Sequence, residues 1–250
     1  SLDRSATIRL KSAVALIGGF AGTETTRNAR DWFAHPTILS GDIGTVGDTG
    51  DNSYHVITAE NVDASAMLDG FTIRDGRADG VYNAASSRGG GMICTSAQPT
   101  LRNLIFTANY AQGAALYAGA ALYNNLSTPT LINVAFISNE ARLSGGAVLN
   151  EGSSPTFINA LFYNNAVLTP ANGGTAVVNL ASAIAPTFIN VTIAGNVGSS
   201  MGTLTSSAML NDAVNPVIRN SIIWGNIPAN LPFANSNGAQ PVLTYPIVEA

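Results

Sequence analysis

The stretch PTLINVAFISN (Pro129–Asn139) decides the fold, because close copies of it recur through the chain. The copies are PTLRNLIFTAN from Pro99, PTFINALFYNN from Pro155, PTFINVTIAGN from Pro186 and PVIRNSIIWGN from Pro216, so consecutive prolines lie 30, 26, 31 and 30 residues apart. Weaker copies, AMLDGFTIRDG from Ala66 and PTILSGDIG from Pro36, precede them. A repeat of about 30 residues predicts a solenoid, in which each unit packs on its neighbours.

Apolar residues alternate with period two inside each copy, and β-branched and aromatic residues dominate, which favours strands over helical repeats. Three apolar columns align when the copies are superimposed: Leu101, Leu131, Phe157, Phe188 and Ile218; Phe106, Phe136, Phe162, Ile193 and Ile223; and Met92, Leu122, Val148, Val177 and Met209. Parallel strands stack like residues at ~4.8 Å. We therefore predict an all-β parallel β-helix solenoid of seven to eight coils, forming one domain over 1–250, with irregular coils in 1–80 and regular repeats in 81–250.

Three asparagine columns follow the same repeat. The first is Asn103, Asn133, Asn159, Asn190 and Asn220; the second is Asn109, Asn139, Asn165, Asn196 and Asn226; the third is Asn124, Asn150, Asn179 and Asn211, with Cys94 in the preceding slot. Asparagine tolerates left-handed backbone angles, and stacked amides can bond to one another along a column. We predict asparagine ladders that build corners without a catalytic role, and a buried, inert thiol at Cys94.

Composition excludes several classes of protein. Only 10% of the 250 residues are charged, and 11 bases against 15 acids give a net charge of −4, so no basic patch can bind nucleic acid. No stretch approaches the 18 apolar residues of a membrane-spanning helix. A single cysteine excludes a disulfide framework and a structural zinc site. The abundance of Ser, Thr, Asn and Gly, with Lys11 as the one lysine, favours an extracellular protein.

The repeats resemble those of polymorphic outer membrane proteins, whose paired signatures are GGA[ILV] and FxxN. Gly145–Val148 (GGAV) matches the first signature, and the second is matched by Phe106…Asn109, Phe136…Asn139 and Phe162…Asn165. The segment GGFAGTET (Gly18–Thr25) resembles the N-terminal coils of secreted β-helix proteins with cell-surface anchors. The resemblance implies a right-handed, pectate-lyase-like β-helix with a structural or adhesive role at a bacterial cell surface, and a host or cell-surface ligand as a possible partner.

An enzyme on this fold is the alternative. The bases after residue 80 are Arg88, Arg102, Arg142 and Arg219, which are too dispersed for a polysaccharide lyase. A glycosidase needs two carboxylates, and Glu151 and Asp212 occupy equivalent positions two coils apart, about 9.6 Å on a regular stack. Both follow a ladder asparagine in a turn, where solvated acids are common. We predict a protein without enzymatic activity, and keep a Glu151/Asp212 glycosidase and a glycan-binding module with exposed aromatics as alternatives.

A metal site is a second possibility. The glycine-rich stretch GDIGTVGDTGDN carries Asp42, Asp48 and Asp51, and oxygen ligands with flexible spacing suit calcium. The competing interpretation is that these carboxylates accept hydrogen bonds from their own loop backbone. Apart from this possible calcium we expect no cofactor. His35 and His55 have no ligand cluster around them and are expected at an edge or in the core.

The outward slots of the repeat are unusually apolar. Alternation about each ladder asparagine predicts that they form one flat face, comprising Ile132, Ile158, Ile189, Leu161, Ile137, Tyr163 and Trp224. Such a patch would exceed the few hundred Å² typical of monomers. We predict that this face packs laterally against another copy or a partner. Because neither end reads as a covering helix, we expect either a fragment of a longer protein or a subunit whose coils stack end to end into a homo-oligomer or filament.

Overall fold

Parallel strands stacked in three sheets wind into a β-solenoid of about six turns. The computed structural model describes residues 3–81, 84–113, 117–169, 173–198, 206–227 and 231–249. Within these ranges every strand pairing is parallel. Two single 3₁₀ turns, Arg27–Ala29 and Ala85–Ser87, are the helical segments of the described chain. The predicted all-β solenoid is confirmed.

Each regular coil contributes to the three sheets in a fixed order. The eight strands of the first sheet are Ile8–Arg9, Ile57–Glu60, Met92–Thr95, Leu122–Asn125, Val148–Glu151, Gly174–Leu180, Ser207–Asp212 and Phe233–Ser236. The fourteen strands of the second sheet are Ala15–Ile17, Thr37–Ser40, Met67–Asp69, Phe71–Arg74, Thr100–Thr107, Thr130–Ile137, Thr156–Ile158, Leu161–Tyr163, Thr187–Ile189, Thr192–Ala194, Val217–Arg219, Ile222–Trp224, Val242–Thr244 and Ile247–Val248.

The third sheet explains why the turns number about six where the sequence predicts seven to eight. Its five strands are Arg77–Ala78, Tyr110–Ala111, Glu140–Ala141, Ala166–Val167 and Val197–Gly198. In the described chain this sheet begins at Arg77, so the earlier segments form strands of the first two sheets and do not complete a full turn of three sheets.

The three predicted apolar columns form the core. Leu131 pairs with Leu101 and Phe157, and every member of the three columns is at most 1% exposed. The rings of Phe136 and Phe106 stack at 5.2 Å between centroids, and those of Phe136 and Phe162 at 4.7 Å. Burial of one such side chain stabilises the fold by about 1.5–3 kcal/mol. The register that places like residues above one another therefore also supplies most of the apolar stabilisation.

The second asparagine ladder is buried and its amides are completely bonded. Asn139 Nδ2 donates to Asn165 Oδ1 at 3.0 Å and to the carbonyl oxygen of Phe106 at 2.9 Å. Its Oδ1 accepts from the backbone N–H and Nδ2 of Asn109, at 3.2 and 3.0 Å. The same pattern continues through Asn196 to Asn226. Each amide thus satisfies two donors and two acceptor positions in a core that excludes water.

The other two ladders differ in their surroundings. The third ladder is buried and runs from Asn124 to Asn211, with Nδ2–Oδ1 distances of 2.8–2.9 Å. It continues to Asn235, a member that the repeat did not reveal. The first ladder lies at the surface, where Asn133 Nδ2 donates to Asn103 Oδ1 at 3.1 Å. Its amides therefore contribute less stability than the buried ones.

The left-handed backbone predicted for all three ladders occurs at the asparagines of the first ladder only. There φ lies between 49° and 56°, and these residues bend the second sheet in the middle. Beside the second ladder the left-handed residue precedes the asparagine, as at Ala108 and Ser138. Beside the third ladder it follows two residues later, as at Leu126. The buried asparagines are thus selected for their amides rather than for their backbone angles.

We expect the two kinds of ladder to respond very differently to truncation. Asn139→Ala removes four hydrogen bonds of the Asn139 amide from the core and leaves the backbone N–H of Asn109 without its acceptor, whereas Asn165 Oδ1 keeps the bond from the backbone N–H of residue 139. At about 1 kcal/mol for each lost hydrogen bond, and more for the unpaired N–H, the free energy of unfolding should fall by at least about 3 kcal/mol. Urea denaturation followed by circular dichroism measures the loss.

Asn133→Gly in the same coil is the matched control, because glycine keeps the left-handed backbone and removes exposed hydrogen bonds. Its expected loss is below about 1 kcal/mol. Equal losses in the two variants would show that the buried ladder has no special weight.

Candidate functional site

The outer face of the second sheet carries the predicted apolar residues. We call the set Ile132, Ile158, Ile189, Leu161, Ile137, Tyr163 and Trp224 the apolar face. Its aliphatic members are half-buried by their neighbours in adjacent coils, while Tyr163 is 51% and Trp224 53% exposed. Strand register aligns Ile132 with Ile158, and Ile137 with Tyr163. The structure therefore brings all seven residues to one side of the solenoid.

Charge is absent from the centre of the apolar face. Arg102 pairs in register with Ile132, and Arg219 pairs with Ile189, so the two arginines flank a run of three isoleucines in one column. In the three coils between them, the flanking outward columns also hold uncharged side chains. An uncharged strip thus crosses the three middle coils.

The first sheet also has apolar residues on its outer side, but they are covered. Ile93, Tyr123, Leu149, Val178 and Leu210 form one column with at most 6% exposure each, and Tyr117 from a connecting loop packs against it. Sequence reasoning missed this cluster. The available signal was the unbroken apolar pair in each strand, such as Val177–Val178, which is typical of a strand buried on both faces.

A hydrogen-bonded ion pair lies at one edge of that covered column. Arg88 Nη1 donates to Tyr123 Oη and to Glu151 Oε2, both at 2.9 Å. The Tyr123 hydroxyl donates to the same carboxylate oxygen at 2.6 Å. Burial and the hydrogen bond to Glu151 together raise the pKa of Tyr123 to about 12. Glu151 is therefore the acceptor of a structural contact between coils.

The alternative catalytic pair is in the predicted register but is separated. Glu151 pairs with Leu180, which in turn pairs with Asp212, so a leucine strand position lies between the two carboxylates. Asp212 Oδ1 accepts from Ser236 Oγ at 2.8 Å and from Asn237 Nδ2 at 2.5 Å. Each carboxylate thus has its own hydrogen-bond partners.

The three acids proposed for calcium accept hydrogen bonds from the backbone of their own loop. Asp42 Oδ2 accepts from the backbone of Gly47 at 3.0 Å, and the carboxylates of Asp48 and Asp51 accept from Gly50 and Thr45, at 2.9 and 2.7 Å. No group of three His, Cys, Asp or Glu side chains in the described residues could hold a metal ion. These bonds favour the competing interpretation, although Asp42 Oδ1 and Asp51 Oδ1 are buried without a hydrogen-bond partner, and calcium binding stays a prediction.

Cys94 occupies a position where one ladder amide is left incomplete. Cys94 pairs in register with Asn124, whose Oδ1 is buried without a hydrogen-bond partner. In the later coils the equivalent oxygen accepts from the preceding asparagine. Complete burial raises the pKa of the Cys94 thiol far above its ordinary value, so the sulfur stays protonated and unreactive.

We expect a hydroxyl at position 94 to complete this ladder. The hydroxyl of Cys94→Ser can donate to Asn124 Oδ1, whereas Cys94→Ala cannot. Chemical denaturation at pH 7 should show the serine variant more stable than the alanine variant by about 1 kcal/mol, the usual worth of one hydrogen bond. The order would be reversed if the serine hydroxyl were simply buried without a partner.

The two histidines differ in environment. His35 is exposed, whereas His55 is largely buried, with Nδ1 at 2.9 Å from the carbonyl oxygen of Gly89. Because that oxygen can only accept, Nδ1 carries the proton and Nε2 keeps its lone pair. Burial lowers the pKa of His55 below its ordinary value, against a weaker opposing effect of the Gly89 hydrogen bond.

The lowered pKa of His55 predicts that the folded chain loses stability in acid. The unfolded chain, with a histidine pKa of about 6.5, binds the proton more tightly than the folded chain. The stability contributed by neutral His55 is therefore complete above that pH and is lost as the pH falls through the lower pKa of the folded state. Urea denaturation between pH 7.5 and 5.5 should show a smaller decrease for His55→Gln than for the original chain.

His35→Gln serves as the control and should keep the original pH dependence. If both glutamine variants lost stability with pH in parallel with the original chain, groups other than His55 would be responsible.

Comparison with family models, with curated proteins and with solved structures finds no match to this chain. Its class is therefore defined by its own geometry: a parallel β-solenoid with asparagine ladders. Among the described residues, no helix is long and apolar enough to cross a membrane.

Proposed function

We propose that this chain is a non-enzymatic structural or adhesive protein of a bacterial cell surface, and that it self-associates through the apolar face. The observation that carries the proposal is the contrast between the two outer faces. The outer column of the first sheet is covered within the chain, so that Leu149 and Val178 are fully buried. Among the residues that the structure describes, none covers the apolar face on the second sheet in this way, and Tyr163 and Trp224 remain half exposed.

The dimensions of the apolar face suit a protein interface. Five stacked strands at ~4.8 Å span about 24 Å along the solenoid axis, and eight residues span at most about 26 Å across it, because the sheet bends at the first ladder. The product, about 600 Å², is near the ~800 Å² that each partner buries in a standard-size interface. Exposed tyrosine and tryptophan are also the residues most enriched at the energetic centres of interfaces.

A second copy is the occupant that best fits this face. The face is uncharged in its middle coils, so it offers a partner no ion pairs and requires none. Two such faces related by a two-fold axis complement one another without any further adaptation. Arg102 and Arg219 flank the isoleucines and lie at the rim of such an interface, where charged residues are normally found.

The contacts of the acids support a role without catalysis. Glu151 is bonded to Arg88 and Tyr123, and Asp212 is bonded to Ser236 and Asn237. A glycosidase needs one carboxyl free to protonate the leaving group and one free to attack or to activate water. Neither acid is free in this way.

The resemblance to surface β-helix repeats supports the proposed location. In FxxN, the phenylalanine of Phe136…Asn139 fills the core and the asparagine joins the buried ladder. The signature therefore encodes the coil, and a shared coil with a Ser-, Thr-, Asn- and Gly-rich composition is consistent with an extracellular protein. End-to-end stacking stays a prediction; Leu243, which continues the Leu101 column, is 42% exposed in the described chain.

Charged substitutions in the apolar face should dissociate the assembly. We expect the purified chain to form dimers or larger particles, and Ile158→Lys with Leu161→Lys to shift it to monomers. Two desolvated lysines at the interface centre should weaken association at least 100-fold, since unpaired buried charges cost several kcal/mol. Analytical ultracentrifugation over a concentration series gives the dissociation constant.

Ala166→Lys with Val197→Lys is the matched control, because it adds the same two charges on the outer side of adjacent coils in the third sheet. This variant should assemble like the original chain. A concentration-independent monomer for the original chain, or unchanged assembly of the Ile158/Leu161 variant, would contradict the proposed interface.

A further inference from the structure

The outer column of the first sheet changes character at its amino-terminal end. From Ile93 onward the column is apolar and covered, but the two preceding positions in register are Thr58 and Arg9. At this change the covering ends and a groove of about 360 Å³ opens on the face of the sheet. The groove is separate from the apolar face, which lies on the second sheet.

Hydroxyl groups and one imidazole line the groove. Thr7 Oγ1 and Thr58 Oγ1 lie 2.9 Å apart on its floor, and His55 and Tyr54 contribute to its lining. Tyr54 is held by Arg4, whose guanidinium carbon lies 4.4 Å from the ring centroid. The groove therefore offers both hydrogen-bonding atoms and the carbon surface of an aromatic ring and of threonine methyl groups.

Charge in the groove is balanced. Arg9 Nη1 lies 3.9 Å from Glu60 Oε2, with both side chains more than half exposed at the rim. Burial lowers the pKa of His55, so the imidazole is neutral at pH 7. Lys11 lines a second, smaller hollow of about 50 Å³ on the other side of the Arg9–Glu60 pair. Neither an anion nor a cation gains a net charge from the lining of the main groove.

The position of the groove limits how a ligand can be recognised. Its floor is the outer face of the first sheet, where Ile57–Glu60 is paired with a strand on each side, whereas Ile8–Arg9 is the terminal strand and is paired on one side only. A ligand that lies on this floor therefore finds no free backbone partners on Ile57–Glu60, in contrast to a peptide added at a sheet edge. Recognition must use side-chain hydroxyls, the imidazole, the carboxylate and the guanidinium.

We propose that this groove binds a neutral saccharide. Sugar hydroxyls both donate and accept hydrogen bonds. The hydroxyls of Thr7 and Thr58 can do the same, the Glu60 carboxylate accepts, and the Arg9 guanidinium donates. The apolar faces of pyranose rings match the methyl and aromatic surface. The volume lies at the lower end of the range of about 300–1,000 Å³ for small-molecule sites, which corresponds to one or two sugar rings.

Saturation-transfer NMR with maltose, lactose and cellobiose, each at millimolar concentration, tests the proposal, with digalacturonic acid as the charged comparison. At least one neutral disaccharide should receive saturation and show a saturable titration. Thr58→Val keeps the shape of the side chain and removes its hydroxyl, so affinity should fall about fivefold to tenfold. Glu60→Gln should also weaken binding, because it replaces a charged acceptor by a neutral one.

Thr156→Val is the matched control: it makes the same substitution on the outer side of the second sheet, in a column where valine already occurs at Val217. Its affinity should be unchanged. The proposal is overturned if no neutral disaccharide receives saturation, if Thr58→Val binds as tightly as the original chain, or if digalacturonic acid binds more tightly than the neutral sugars. The readout is independent of self-association, so the Ile158/Leu161 experiment can fail while this one succeeds, and the reverse.

Discussion

The buried amide stack running from Asn109 to Asn226 is the constraint on which the rest of the structure depends. Each amide donates twice and accepts twice within the core, so a coil displaced by one residue would leave unpaired polar groups and would turn the apolar columns outward. The ladder thus fixes register, and register stacks the phenylalanines. Hydrophobic burial supplies the larger stabilisation, but the amides select the one arrangement in which that burial occurs.

This constraint determines where coil length can vary. Pro99 to Ala111 and Pro129 to Ala141 each span twelve positions, whereas Ala111 to Leu122 spans eleven and Ala141 to Val148 spans seven. The four-residue difference between these two coils therefore lies in the connection from the third sheet to the first. Such connections are free of the ladders, and residues from them, such as Tyr117, pack on the outer side of the first sheet. The variable length of these connections and the covering of the outer side of the first sheet therefore have the same cause: the connections lie outside the ladders.

The sequence predicted the columns and ladders well because aligning the successive copies of the repeat directly gives the register between coils. The sequence was less informative about features that depend on contacts with a neighbouring coil and do not recur in the repeat. Leu126 adopts φ 52° although leucine has no preference for that region, since the corner geometry overrides local propensity. The contact of Arg88 with Glu151 joins residues 63 positions apart, and Arg88 has no equivalent in the repeat. The groove beside His55 lies where Thr58 and Arg9 replace the apolar outer column of the first sheet, in coils that precede the regular repeat, so the repeat gave no signal for it.

The chain also changes its polar chemistry along the solenoid. In the regular coils, amides satisfy the buried corners, and amides do not titrate. In the earlier coils, Asp69 Oδ1 accepts a hydrogen bond from Asn103 Nδ2 at 2.7 Å and lies 2.6 Å from Arg30 Nη2. A carboxylate and a guanidinium thus take the place of the next amides in the first ladder. Although burial opposes ionisation, these partners hold the pKa of Asp69 below its ordinary value. The stability that they contribute is complete above the pKa of an unfolded aspartate and is lost as the pH falls through the lower folded value. Together with neutral His55, this makes the amino-terminal coils the acid-sensitive part of a solenoid whose ladders are indifferent to pH. The saccharide groove lies in that part, whereas the apolar face lies on the ladder-bonded coils, so acid acts on the two surfaces unequally.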